Sequence, residues 1–287
     1  MAQTKHEIEA LLATAGSHPR HRFGQNFMID QNLVRLVAEA GTLAPGDLAI
    51  EVGPGTGTLT EELLNRARRV LAVEIDRDLA ALLRRRFADK ANFALIEGDA
   101  LAGKHSINTE LLTALRQAEA EGRPAKLVAN LPYNIASPLV IELLIAGVGL
   151  LAFTVQKEVA QRLRAGAGSD DYGPLSVMAQ MLSRVELLRT LPPQAFWPAP
   201  KIDSALVRMT RDDRLGGRAG RFGEFVSGIF SFRRKTLRKA LALAGHGAEK
   251  VLSVTGLDGG RRPEEFAPEQ FLAMFETAEN GRRNNLQ

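Results

Sequence analysis

Five short, continuously apolar runs mark the first half of the chain: LAIEV (48–52), VLAVEI (70–75), FALIE (93–97), KLVAN (126–130) and LAFTV (151–155). Each is bounded by turn residues, and none alternates apolar with polar. That is the pattern of strands covered on both faces. Between them, stretches such as LTEELLNRARR (59–69) and DLAALLRRRFADK (78–90) space their apolar residues as helices do. The alternation predicts βαβ units and a mostly parallel sheet. Two later runs, RVELLRT (184–190) and SALVRMT (204–210), follow one another without an obvious helix and predict an antiparallel hairpin at one sheet edge. RDDRLGGRAGR (211–221) is polar and glycine-rich, as a linker is. Beyond it, FGEFVSGIFSFRRKTLRKALALAG and PEQFLAMFETAEN carry only helical spacing. The expected organisation is an α/β domain over 1–211 followed by a small all-α domain over 212–287.

Composition narrows the class. With 287 residues, 45% of them apolar, the chain can bury a large core and a smaller one. No run of about 18 apolar residues could span a bilayer. The start, MAQTKHEIEALLATAG, carries two acids among its apolar residues and reads as an amphipathic helix rather than a signal peptide. Cysteine is absent, which excludes disulfides and thiolate chemistry and suits a reducing cytoplasm. The five histidines (6, 18, 21, 105 and 246) show no metal-ligand spacing, so no metal site is expected. The net charge is +4, unevenly placed: Lys201 to Lys239 holds 11 Lys/Arg against 4 Asp/Glu. A cationic stretch beside a neutral-to-acidic body fits a polyanionic partner, and equally a solvated basic face.

The candidate chemistry sits at strand ends. EVGPGTGTLT places Gly53, Gly55 and Gly57 directly after the first run and before a helix. In an open parallel sheet, ligands bind at the carboxyl ends of strands, where glycines let backbone come close. Taken alone, the three glycines equally suit a tight strand-to-helix turn. No Lys-Ser/Thr follows, so the loop is not a phosphate-cradling P-loop. The second run ends at Glu74, the usual place for an acid that accepts from a ribose diol. The third ends in EGDAL, and Asp99 there could accept the exocyclic amine of an adenine.

The fourth run ends in Asn130, Leu131, Pro132 and Tyr133. An amino nitrogen on an aromatic base is a poor nucleophile because its lone pair is delocalised. The Asn130 side-chain oxygen and the Leu131 carbonyl could hold such a nitrogen in a pyramidal geometry. Pro132 biases Leu131 to an extended conformation, and Tyr133 offers a face on which an unstacked base can lie. The plain alternative is a proline-stiffened strand end with a core tyrosine. With no metal, no cysteine and no histidine near these ends, the fitting electrophile is a sulfonium methyl, whose transfer needs mainly in-line positioning.

At this point the sequence resembles the small-subunit (16S) ribosomal RNA adenine N6,N6-dimethyltransferase family. The resemblance runs nearly end to end: RFGQNFMID (22–30) looks like the family's cofactor-gating motif. EVGPGTGTLT, VEIDRDL, EGDAL, NLPYNIASPLV, TVQKEVAQRL, YGPLSV, FWPAPKIDSALVRM and FSFRRKTLRKAL then follow in the family's order. The resemblance implies a Rossmann-like, S-adenosylmethionine-dependent methyltransferase domain. It implies dimethylation of two adjacent adenosines near the 3′ end of 16S rRNA in the small subunit, and with it a role in rRNA processing and ribosome biogenesis. It further implies a cytoplasmic monomer that binds RNA. It places cofactor contacts at Asn26, Met28, Gly53, Gly55, Glu74, Asp99 and Asn130, and the target base at Asn130, Leu131, Pro132 and Tyr133. Phe196, Pro198 and Lys201 match a loop that approaches substrate from the other side. Met28 stands where leucine is commoner in the family.

Some motifs admit a plainer reading. Phe23 and Phe27 could both be core residues, and Phe23 is the one expected to be. FRRKTLRKAL is read as a helix docked by Leu237 and Leu241, with Arg233, Arg234, Lys235, Arg238 and Lys239 turned to RNA phosphates. Pairing of Arg233 and Arg234 with acids of the body is the alternative. The segment 102–125 matches no motif and reads as a surface helix and loop. Three other functions compete. An erythromycin-resistance-type methyltransferase of large-subunit RNA shares the glycine loop, the acids and an Asn-x-Pro-aromatic motif, and an assembly factor could act mainly by binding. A nicotinamide dehydrogenase leaves Asn130 to Tyr133 unexplained.

Overall fold

A computed structural model describes residues 3–20, 23–103 and 106–284. Met1, Ala2, His21, His105 and Arg22, the first residue of the RFGQNFMID motif, lie outside the described residues. The strands, in chain order, are β1 (Phe27–Met28), β2 (Leu48–Val52), β3 (Arg69–Glu74), β4 (Phe93–Glu97), β5 (Leu101–Gly103), β6 (Ser106–Ile107), β7 (Ala125–Asn130), β8 (Leu150–Gln156), β9 (Ser183–Leu191), β10 (Phe196–Trp197) and β11 (Ser204–Arg211). Seven of them form one sheet in the order β4-β3-β2-β7-β8-β11-β9. The pairs β2/β3, β3/β4, β2/β7 and β7/β8 are parallel, and β11 joins β8 antiparallel. The two late runs are neighbours at one edge, with β11 inside β9. Strand order reverses between β2 and β7, and a crevice outside the carboxyl ends of strands forms at such a switch point.

The central parallel strands are buried because helices cover both faces, whereas the edge strand β4 buries only Ile96. Every residue of β2 is buried, and so are Val70 to Glu74 of β3. The helix Gln31–Ala40 buries Leu33, Val34 and Val37 in a cluster with Leu59, Leu63 and Val128. Its start is fixed by Asp30, whose carboxylate accepts from the Asn32 and Leu33 N–H groups. The helix Lys5–Thr14 buries Ile8 and Leu12 against Phe27, Leu79 and Leu82. A Thr4/Glu7 capping box starts it. The unmatched segment holds the small hairpin β5/β6 and the helix Thr109–Ala120.

The chain divides into two compact units: Met1–Ala160 with Val185–Arg211, and Gln161–Arg184 with Asp212–Gln287. The second unit therefore takes in 161–184 as well as the expected 212–287. The helix Pro174–Leu182 explains this, because it buries Ser176 to Ala179, Met181 and Leu182 and needs cover on most of its circumference. Asp212 and Arg214 tie back to it through N–H bonds to the Leu182 and Met181 carbonyls, at 2.9 and 3.1 Å. Tyr172 anchors the same unit. Its ring meets Phe230 edge-on, and its hydroxyl donates to the Phe266 carbonyl at 2.8 Å.

One expected helix is shorter than its sequence pattern. Helix starts only at Leu237, with Thr236 extended before it as the N-cap. Arg233, Arg234 and Lys235 lie in the preceding turn, which is closed by Arg233 N–H to Phe230 carbonyl (3.1 Å) and Lys235 N–H to Phe232 carbonyl (2.8 Å) bonds. The anchoring leucines, Leu237 and Leu241, are fully buried as their spacing predicts. No helix of the described residues is long and apolar enough to cross a membrane.

Candidate active site

A cleft of about 900 Å³, counted with its open mouth, lies at the carboxyl ends of β2, β3, β4 and β7. Its floor is the glycine turn. Gly53, Gly55 and Gly57 have φ of 72°, 62° and 85°, a left-handed backbone that glycine adopts without strain. Space is as decisive as φ. A Cβ on Gly55 would stand 2.8 Å from Phe27, and one on Gly57 would stand 2.7 Å from Phe87.

Glu74 closes β3 with 3% of its surface exposed, yet it faces the cleft. One carboxylate oxygen accepts from Gly55 N–H at 3.2 Å and the other from Asp76 N–H at 2.9 Å. Each keeps lone pairs for a second donor. Burial pushes its pKa up to about 7, opposed by the Asp76 and Gly55 N–H bonds. Glu51, a second buried acid lining the cleft, is pushed further, to about 8; burial is the main cause, and the Thr60 hydroxyl at 2.6 Å only partly offsets it. Asp99 is different. It is exposed, and its carboxylate accepts from Leu101 N–H at 3.0 Å.

The strand end at β7 is braced from two sides. Asn130 donates its side-chain N–H to the Asn26 carbonyl at 2.6 Å, and its side-chain oxygen accepts from the Thr154 hydroxyl. The amide is thus fixed in one orientation, with one oxygen lone pair left. Leu131 is buried, and its N–H reaches the Thr154 carbonyl at 3.3 Å. Tyr133 is half-buried, and its hydroxyl pairs with the buried Ser204 hydroxyl at 2.7 Å. Burial raises the Tyr133 pKa, so the phenol stays protonated.

The cleft brings together Asn26, Met28, Gly53, Gly55, Glu74, Asp99, Asn130 and Pro132. Leu131 and Tyr133 lie outside its lining. Phe196 is corrected from RNA contact to packing: it is 2% exposed and shares a core cluster with Met28, because β10 pairs with β1 and turns it inward. Pro198 is half-buried and Lys201 exposed. Of the two phenylalanines, Phe27 is the buried one and Phe23 is half-buried, and both line the cleft. In the second unit Arg233, Arg234 and Lys235 are exposed, and no ion pair holds them among the described residues. Arg238 pairs with Glu249, which holds that carboxyl below its ordinary value.

Several supporting residues act through partners that the sequence does not mark. Arg20 bridges Asp76 (2.8 Å) and Asp78 (2.5 Å), and Gln25 donates to Asp76 at 3.1 Å. The buried Asp76 in turn donates its N–H to Glu74, so Arg20 and Gln25 are wired to the end of β3. Glu51, Thr60, Thr154 and Ser204 stand inside the quoted motifs, but nothing local tells which partner each one meets. Only the EID tripeptide hints at Asp76, and no local pattern marks partners more than 50 residues apart.

The cleft fits an adenosine-bearing sulfonium. Glu74 offers carboxylate acceptors to a diol, and Ile75 leaves an apolar side chain 42% exposed on the wall. Such a sheet and cleft define a Rossmann-like methyltransferase that uses S-adenosylmethionine. The ribosomal RNA adenine dimethylase family matches residues 16–280, and the chain belongs to it. A relative from Magnetococcus marinus, ribosomal RNA small subunit methyltransferase A, is 42% identical over 94% of this chain and 95% of its own length. The protein of the same name from Leptothrix cholodnii is 40% identical over 89% and 90%. Among solved structures, the 23S rRNA methyltransferase ErmE is 29% identical with a TM-score of 0.63, covering 88% of this chain and all of that one. A dimethyladenosine transferase from Plasmodium falciparum shares the fold, with a TM-score of 0.70 at 22% identity over 89% and 98% of the two chains.

Proposed function

We propose that this enzyme dimethylates the N6 amino groups of two adjacent adenosines near the 3′ end of 16S rRNA, on the small ribosomal subunit, as a cytoplasmic monomer contributing to subunit biogenesis. The observation that carries the reading is the fixed amide of Asn130. Held by the Asn26 carbonyl and the Thr154 hydroxyl, it keeps one oxygen lone pair in the lining of a cleft suited to adenosine. The names of the relatives at about 40% identity support the small subunit as the site of action.

S-adenosylmethionine, when bound, supplies a methyl group activated by its sulfonium. The chain's own residues do the rest. Glu74 and Asp99 hold the nucleoside end of the donor, with Asn26, Met28, Gly53 and Gly55 around it. Asn130 and the Leu131 carbonyl accept from the target amino group and draw its nitrogen toward a pyramidal geometry, which frees the lone pair. The Tyr133 ring, locked at Ser204, carries the unstacked base. No strong general base is needed, because the methylated ammonium loses its proton to water. Pro198 and Lys201 approach the RNA from the β10 side, and Arg233, Arg234, Lys235 and Arg238 contact phosphates.

The test labels small subunits lacking the modification with tritiated S-adenosylmethionine and identifies the methylated nucleoside after digestion. Dimethyladenosine in 16S rRNA is expected. Label confined to large-subunit RNA would replace this reading with the resistance-type one, which the 29% identity to ErmE makes the specific competitor. Tight subunit binding without label would leave an assembly factor.

A further inference from the structure

The two-stranded ladder β1/β10 joins the two sides of the reaction. Phe27 and Met28 of β1 line the cofactor cleft with Asn26 just before them, and Phe196 and Trp197 of β10 lead into Pro198 and Lys201. The register pairs Phe27 with Trp197 and Met28 with Phe196, and Ile29 N–H reaches the Ala195 carbonyl at 3.0 Å. Phe27 lies at the crossing. Its ring fills the space that only glycine leaves open at position 55. It also stacks on Trp197, with centroids 6.2 Å apart and planes at 29°. The backbone next to Phe27 holds the base-binding amide, since the Asn26 carbonyl accepts from Asn130. Trp197 itself does not line the cleft.

We propose that Phe27 is a positioning residue that links the glycine turn of the cofactor cleft to the Trp197–Lys201 loop, so that donor and RNA strengthen each other's binding. Any shift of the turn at Gly55 on binding the donor moves the Phe27 ring, and that ring moves Trp197. The contact at Gly55 is tight enough to transmit such a shift, since a Cβ there would stand 2.8 Å from the Phe27 ring, and the ring passes it on through its stack on the half-buried Trp197. Coupling of this kind is reciprocal. The RNA half of the inference rests on the proposed function of the loop; the link through Phe27 does not.

Trp197 is the only tryptophan in the chain, so its emission reports the loop directly. Titration of S-adenosylhomocysteine into the full-length protein should change that emission with the midpoint that calorimetry gives for binding. Phe27→Leu should still bind by calorimetry but lose most of the emission change, and Phe27→Tyr should restore it. Unmodified small subunits should tighten S-adenosylhomocysteine at least about fivefold in the wild type, with that gain lost in Phe27→Leu. Trp197→Ala, made in a background that keeps Phe27, should lose the same gain. Calorimetric binding without any emission change in the wild type would overturn the link, as would an undiminished change in Phe27→Leu. If Pro198→Ala and Lys201→Glu leave subunit affinity unchanged, the RNA role of the loop fails, while the emission titration still decides the Phe27 link.

Discussion

The strand end Asn130–Tyr133 and the turn Arg233–Lys235 are both read as RNA-contacting, and they are built in opposite ways. At the strand end each polar side chain already has a partner within the protein: Asn130 holds Asn26 and Thr154, and Tyr133 holds Ser204. In the turn the three cations are exposed and hold no ion pair among the described residues. The first arrangement fixes geometry before substrate arrives, which is what lowering a barrier requires. The second leaves charge free to adapt to phosphates, which gives affinity without positional precision. Losses at the strand end should therefore appear in turnover, and losses in the turn should appear in salt-dependent binding.

The largest expected effect is that of Asn130→Ala. Removing one preorganised acceptor should cut the methyl-transfer rate by roughly 10²–10³-fold, measured in single turnover with saturating donor. A rate within a few-fold of wild type would show that the Leu131 carbonyl suffices. Next comes Glu74→Gln, which replaces a charged acceptor and should weaken S-adenosylhomocysteine roughly 10- to 100-fold by calorimetry. Charge reversal at Arg234 and Lys235 should act later and differently. It should lower subunit affinity and flatten its dependence on log salt by up to about one unit for each phosphate no longer neutralised, with the single-turnover rate of bound complex unchanged. An unaltered salt slope would make these residues bystanders.

pH separates the two regions again. Glu74 and Glu51 have pKa values pushed up to about 7 and about 8 by burial, against 4.5 for an ordinary glutamate. In that window the folded protein holds protons that the unfolded chain has released. Their contribution to stability is therefore full below about pH 4.5 and is lost as pH rises through 7 and 8. The donor-free protein should lose on the order of a few kcal/mol between pH 5 and 8 from these groups, read as a falling urea midpoint. Donor binding should run the other way. If Glu74 holds the ribose as proposed, it accepts the hydroxyls best when ionised, so S-adenosylhomocysteine affinity should rise from pH 6 to 8, and Glu74→Gln should flatten that rise. Charge reversal at Arg234 and Lys235 should leave both profiles unchanged.

The parallel strands and the cleft they build were legible because they rest on local rules: continuous apolar runs, glycines where backbone turns left-handed, and acids at strand ends. Residues that work through distant partners were not. Thr154 reads as one more strand residue, and only the fold sets it against Asn130. Phe196 sits in a motif beside Pro198 and Lys201, yet pairing of β10 with β1 turns it into the core. The 161–184 segment lies between strands in sequence, but the apolar circumference of its helix takes it to the second unit. The turn at Arg233–Lys235 was hidden by cations that suit a helix as well as a turn, so helical spacing was carried one turn too far.

The central claim is that Tyr133 acts on the base rather than on the donor. Tyr133→Ala, compared with wild type for S-adenosylhomocysteine affinity by calorimetry and for single-turnover methylation of unmodified small subunits, tests it most directly. The account predicts a donor affinity close to wild type with a methylation rate lower by roughly tenfold or more, since base stacking on an aromatic side chain contributes about 1–3 kcal/mol. Equal losses in donor affinity and rate would contradict it and make Tyr133 a wall of the cofactor cleft.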